Sequence, residues 1–244
     1  MTNRDKIIAR HTLEIRFRNR FFGFSDLKGE MTDFFIKNAG IETVRYARDK
    51  SDRVDFLSSD LSEAMFFSME NFGIQIEATE DFEKFREKVK WFFSIISSYG
   101  KYNFGDEITR IGTKTAGLFH KNGLSLEGLK EKYKSSLFKQ HSTFEKISKS
   151  KTTELWFILT NFEKENAGIN VGIGPLTMLE AINKFFGNNP NYQEQDIEQG
   201  LLLEIDYFQN KEKSKSKEEL TTTILKNIDD LEKTFYDFAN IITS

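Results

Sequence analysis

One stretch near the C-terminal end constrains this chain more than any other. Leu201, Leu203, Ile205 and Tyr207 alternate with Leu202, Glu204, Asp206 and Phe208, so one face is wholly apolar and the other half polar, the pattern of a sheet strand. The charged run Lys211–Lys217 has nothing to bury and reads as a solvated loop. Beyond it Leu220, Ile224, Ile228, Leu231, Phe235, Phe238 and Ile242 recur at spacings of three, four and seven, the stripe of a long helix lying on an apolar surface. A strand followed by such a helix needs a sheet to join and to cover. The chain before it supplies the same unit once already.

In the first half, Leu13, Ile15 and Phe17 alternate with Glu14, Arg16 and Arg18, a half-buried strand. A helix follows, capped by Ser25, with Phe24, Leu27, Met31, Phe34 and Phe35 as its stripe and Asn38-Ala-Gly40 as its stop. Extended pieces come next at Glu42–Asp49, Arg53–Leu57, Glu63–Met69 and Phe72–Ala78. Thr79, or the acidic pair after it, caps a second helix with the stripe Phe82, Phe85, Val89, Phe92, Phe93 and Ile96, closed by Gly100. The second half repeats this order. A long strand, Glu107–Phe119, carries glycines that suggest a bend or bulge. Ser125 caps a helix bearing Leu126, Leu129, Tyr133 and Leu137, and strands follow at Phe144–Ser148, Glu154–Phe162 and Ala167–Ile173. Gly174-Pro175 then opens an inserted helix, near residues 175–187, before the closing strand and helix. The fold expected is α+β: two β-α-ββββ-α pseudo-repeats, residues 1–104 and 105–244, forming one antiparallel sheet with the helices packed on one face. An antiparallel sheet can leave its other face wet, as a surface for a partner.

Composition removes several function classes. With no cysteine there is no disulfide framework, thiolate metal site or cysteine nucleophile, and three histidines (His11, His120, His141) make a multi-histidine metal centre a poor expectation. A net charge of −3 gives no global attraction to nucleic acid or anionic membrane. No window reaches the ~18 apolar residues of a membrane span, and the first residues lack an apolar signal core. A cytoplasmic protein without a membrane partner is expected. The 25 phenylalanines, set at helical spacing, are core rather than a platform for stacked bases.

The doubled order of elements resembles the saddle of the TATA-binding protein and its relatives, although no sequence motif of that family is present. In the residues themselves the chain resembles a sporadically distributed family of uncharacterised bacterial and archaeal proteins. The likeness lies in Thr109-Arg110-Ile111-Gly112, in Leu201-Leu-Leu-Glu204-Ile205-Asp206-Tyr207, and in Phe235-Tyr-Asp-Phe238-Ala-Asn-Ile241-Ile-Thr243. Glu204 stands where that family usually has Asp. The resemblance implies a fold and no established activity; the sporadic distribution resembles that of genes carried in mobile or phage-defence islands.

Two constellations could carry chemistry. Arg16, Arg18 and Arg20 share one face of the first strand, and Arg45 and Arg53 lie on strands that could neighbour it. Arg110 and Lys114, on the matching strand of the second half, would extend this into a patch binding phosphate backbone or a nucleotide. The alternative is that Glu14, Glu42, Asp55 and Glu77 neutralise the arginines across strands. Glu204 and Asp206, two apart on a strand, point to one face and are the only metal candidates, as a Mg²⁺ pair or an acid and base; an exposed polar face explains them as well. Gly172-Ile-Gly-Pro175 sits where amides could cradle an anion, but it lacks the lysine and spacing of a phosphate loop and reads as a plain turn. No catalytic set and no cofactor site emerge. The expectation is a non-catalytic binding, sensor or accessory protein, with a place in a phage-defence or toxin–antitoxin locus and another protein as partner. A nucleic-acid or nucleotide binder using the arginine face is the first alternative, and a metal-dependent hydrolase using Glu204 and Asp206 the second.

Overall fold

The computed structural model describes residues 6–17, 24–39, 43–45, 53–59, 62–77, 81–101, 107–120, parts of 125–133, 158–164, 167–177, 180, 200–213 and 217–243. The described elements are β1 (Lys6–Phe17), α1 (Phe24–Asn38), β2 (Thr43–Arg45), β3 (Arg53–Leu57), β4 (Glu63–Ser68), β5 (Asn71–Ile76), α2 (Phe82–Tyr99), β6 (Glu107–His120), β7 (Ile158–Lys164), β8 (Ala167–Leu176), β9 (Gly200–Lys213) and α3 (Lys217–Thr243). The nine strands make one sheet, ordered β2-β3-β4-β5-β1-β6-β9-β8-β7. Every neighbouring pair is antiparallel. The α+β class with helices on one face is thus the observed architecture. Each half places its last strand against its first, β5 beside β1 and β9 beside β6, and β1 and β6 join the halves along a central seam.

Period-two alternation decides which face is covered. Leu13, Ile15 and Phe17 of β1, Ile74 and Ile76 of β5, Ile111 of β6 and Leu203 and Ile205 of β9 lie on one side and are buried. Helices α1, α2 and α3 lie there. Phe35 of α1 meets Phe56 and Phe67 with centroids 5.0 Å apart, and Phe92 of α2 meets Phe67 and Phe72 at 5.8 and 5.9 Å. Phenylalanine therefore fills this core through a continuous set of tilted and edge-on rings. Phe235 of α3 touches both Phe82 and Phe119, tying α2 and α3 to the seam strand. Arg86 of α2 reaches Asp229, 2.9 Å away, and Glu232 on α3.

The local signals account for the ends of α2. Asp81 accepts from the Glu83 amide at 2.8 Å, and Gly100 stops the helix at φ 72°, a left-handed conformation that costs glycine little. Ser125 accepts from the Gly128 amide, the cap expected there. Tyr133 is buried and donates to the Ile173 carbonyl of β8 at 2.8 Å; burial pushes its hydroxyl up to about 12.

Several boundaries differ from expectation. β1 begins at Lys6 rather than Leu13, and Ser25 lies inside α1 rather than capping it. β6 does carry a bulge against β1, but it falls at the register shift between Arg16 and Phe17, opposite Arg110 and Ile108, away from the glycines. Gly174 and Pro175 do not open a helix: β8 continues through them to Leu176, with Pro175 opposite Leu201. Just beyond β8, the Thr177 amide and hydroxyl donate to the Glu180 carboxylate while the Thr177 hydroxyl accepts from the Glu180 amide, the reciprocal pattern of a capping box. Lys211–Lys213 are not loop; they extend β9, Lys213 lying opposite Glu107. Phe144–Ser148, and the rest of the insertion expected near 175–187, lie outside the described residues.

Candidate polar face of the sheet

The side of the sheet away from the helices is assembled by the same alternation that buries Leu13 and Ile15. Arg10, Thr12, Glu14 and Arg16 of β1 share it; antiparallel pairing sets Thr12, Glu14 and Arg16 each beside a residue of β5 and one of β6, and Arg10 beside Ala116 of β6. Arg16 lies opposite Asn71 on one side and Arg110 on the other. Thr12 lies opposite Gln75 and Lys114. Lys114 in turn lies opposite Asp206 of β9, which lies opposite Asn170 of β8.

The structure brings the two sequence constellations together. Arg110 donates to Asp206 at 2.5 Å, and Lys114 lies 2.6 Å from Glu204. The carboxylate pair expected as a metal candidate is thus held by the cations expected as an anion site. Among the described residues no group of three or more His, Cys, Asp or Glu could hold a metal ion. Asp206 also accepts from the Asn170 amide at 3.2 Å. Arg16 grips Glu14 with two hydrogen bonds, at 2.9 and 3.0 Å, and the Asn71 amide donates to the same carboxylate at 2.9 Å. Arg10 pairs with Glu77 at 2.7 Å, and Gln75 donates to Glu77 at 2.5 Å.

Arg16 and Arg110 face one another across strands, an arrangement that costs energy between like charges unless carboxylates intervene. They do. The hydrogen bonds it donates to Glu14 hold the Arg16 guanidinium above the usual arginine range against the opposing cost of burial, and the charges of Glu14 and Asp206 add to it. Burial pushes the Glu77 carboxyl up, with Arg10 and Gln75 pulling the other way.

Two aromatic rings lie on this polar side. Arg110 stacks over Phe208 and Arg53 over Phe66, each guanidinium carbon 4.7 Å from the ring centre. Each phenylalanine leans across a glycine: a Cβ on Gly168 would fall 2.4 Å from the Phe208 ring, and one on Gly73 would fall 2.5 Å from Phe66. Leu118 and Leu202 are buried on this side as well, so the face is covered at the end where they lie.

Not every expected residue joins the cluster. Arg45 sits on β2, with β3, β4 and β5 between it and β1, so it does not neighbour Arg16. Arg53, with β4 and β5 between its strand and β1, is paired at 2.8 Å with Asp55 of its own strand rather than with a carboxylate across strands. Arg18, Arg20, Glu42 and His141 lie outside the described residues. Gly172-Ile-Gly-Pro175 runs within β8 and frames no helix N-terminus. Three features went unseen from sequence: the Arg10–Glu77 pair, the stacking of arginine on Phe208, and His11. The last is fully buried, its ring stacked on Phe85 at 4.9 Å, with Nδ1 2.9 Å from Thr115 Oγ1. The signal for the first was available, since Arg10 continues the even-numbered face of β1.

No protein-family model matches the chain, and no curated protein does. Among solved structures it is similar to the TBP of Methanococcus jannaschii, with 11% identity and a TM-score of 0.29, over 92% of this chain and 99% of that one. At that score the likeness lends nothing to the reading of function. No helix is long and apolar enough to cross a membrane, among the described residues.

Proposed function

We propose that the protein is a non-catalytic binding module that meets a partner protein through the polar face of its sheet. One observation carries this: Arg10, Arg16, Arg110 and Lys114 are each matched by a carboxylate, on a face that none of the described helices α1, α2 and α3 covers. A face of alternating, fixed charges and amides has little net attraction for a polyanion but offers a specific pattern to a surface with the complementary one. Charge neutrality speaks against the nucleic-acid alternative. The engagement of Glu204 and Asp206 by cations speaks against the hydrolase. Mirrored strand order about the β1–β6 seam supports reading residues 1–104 and 105–244 as an internal duplication. A cytoplasmic setting and service in a phage-defence or toxin–antitoxin locus belong to the same proposal, resting on composition and on the family resemblance.

The test is exchange of charges within the face. Arg110→Asp combined with Asp206→Arg keeps the ion pair but inverts its direction. A partner captured by the native chain and lost from the exchanged one, with unchanged circular dichroism, supports the proposal. Equal capture by both overturns it. Tight binding to DNA or RNA with a steep salt dependence would favour the nucleic-acid alternative.

A further inference from the structure

On the opposite, helix-bearing side lies a cleft of about 150 Å³ where α1 ends over β3, β4 and β5 beside α2. Its apolar wall is Phe56, Met65, Ile74 and Trp91, and its polar wall is Glu63 with Lys88. Phe56, Met65 and Ile74 are buried, whereas Trp91 and Lys88 are only partly so, which puts the mouth on the α2 side. Lys88 lies 2.7 Å from Glu63 and 5.0 Å from the Trp91 ring centre, while Lys84, one helical turn earlier, reaches the same carboxylate at 3.8 Å. Two ammonium groups therefore share one carboxylate.

We propose that this cleft binds a small apolar carboxylate, a single-ring or branched-chain acid. Size sets the class. An apolar cavity of about 150 Å³ accepts benzene, whereas sites for drug-sized ligands run to roughly 300 Å³ and above. The cleft is too small for a nucleotide or a dinucleotide cofactor. Charge sets the rest: a ligand between the apolar wall and Trp91 with its head at the mouth meets Lys88, whose ammonium favours an anion over its neutral isostere. Trp91 forms one wall and reports on occupancy. The proposal does not depend on the partner reading of the sheet face, because the cleft opens on the other side.

The probes are benzoate and its neutral isostere benzamide, titrated into the full-length protein while the two tryptophan indole N–H signals are followed by NMR. Trp91→Phe assigns which signal is which. The Trp91 signal is expected to shift and saturate with benzoate, and benzamide is expected to bind about tenfold more weakly. Lys88→Gln should remove that preference. Glu63→Gln, which releases both lysines from their internal partner, should tighten benzoate several-fold; a purely structural role for the Glu63–Lys88 pair would not do so. No saturable shift at Trp91, a shift confined to Trp156, equal binding of the two probes, or a preference that survives Lys88→Gln would each overturn the proposal. Should Lys88→Gln fail to fold, the comparison of benzoate with benzamide on the native chain decides it alone.

Discussion

Removing Asp206 from the polar face should cost more than an ordinary surface carboxylate, and the structure gives the size. Asp206 and Arg110 are 23% and 25% exposed, so the pair is neither free in solvent nor sealed in the core. Exposed pairs contribute about 0–1 kcal/mol, while breaking a buried one costs roughly 3–5 kcal/mol. At intermediate burial a coupling of about 1–2 kcal/mol is expected between Arg110→Met and Asp206→Asn in a double-mutant cycle. Asparagine keeps an acceptor for the Asn170 amide, so the cycle isolates the charge rather than the hydrogen bond. Arg110→Met alone also loses the stacking on Phe208, about 0.5–1 kcal/mol, which the cycle cancels. Asp206→Asn leaves Arg16 and Arg110 opposed with only Glu14 between them, so retention on heparin should rise above that of the native protein. The assays are urea unfolding at low and high salt and heparin chromatography. A coupling near zero, with unchanged heparin retention, would refute the account of this face as an electrostatically closed unit.

Two further outcomes follow from the packing. Gly73→Ala would place a methyl group 2.0 Å from the Leu13 carbonyl oxygen, a backbone atom in the neighbouring strand, so β5 must separate from β1; a loss of at least about 3 kcal/mol in chemical denaturation is expected, and a loss below 1 would contradict this register. Glu77 has a folded-state pKa above its unfolded value, so the folded chain holds the proton more tightly and this contribution to stability falls as pH rises from the ordinary glutamate range through the raised value. Native stability measured against Glu77→Gln should therefore decline between pH 4 and neutrality, and a flat or rising difference would show that Arg10 outweighs burial.

Sequence exposed the parts of this structure that are fixed locally. The stripe of α2, its aspartate cap and its glycine stop are properties of neighbouring residues, and so is the alternation that sends Arg16 away from the core. Neighbour relations between strands are not local. Arg45 could be placed on a strand but not with three strands between it and β1, and nothing in β9 alone says that Asp206 meets Arg110. The misread ends have a common cause. Beyond Gln209, β9 runs against β6 without a described partner in β8, so the strand continues past the alternation that marks its paired part. Pro175 is tolerated in β8 because its described pairing with β7 stops at Ile173. His11 was illegible for a different reason: an imidazole on an apolar face has the same period whether it is exposed or stacked beneath a phenylalanine.

The place of β9 between β6 and β8 has a consequence for the chain while it is being made. Synthesis delivers β6 by His120, but the strand that closes its far edge ends only at Lys213. Through that interval the first half can already hold one side of β6 through β1, while the other side offers unpaired amides and carbonyls to any passing strand. Arg110 and Lys114 stand on β6 with their carboxylate partners still untranslated. Two cations on a nascent edge repel the same edge of a second ribosome-bound copy, and the arrival of Glu204 and Asp206 cancels that repulsion as β9 docks.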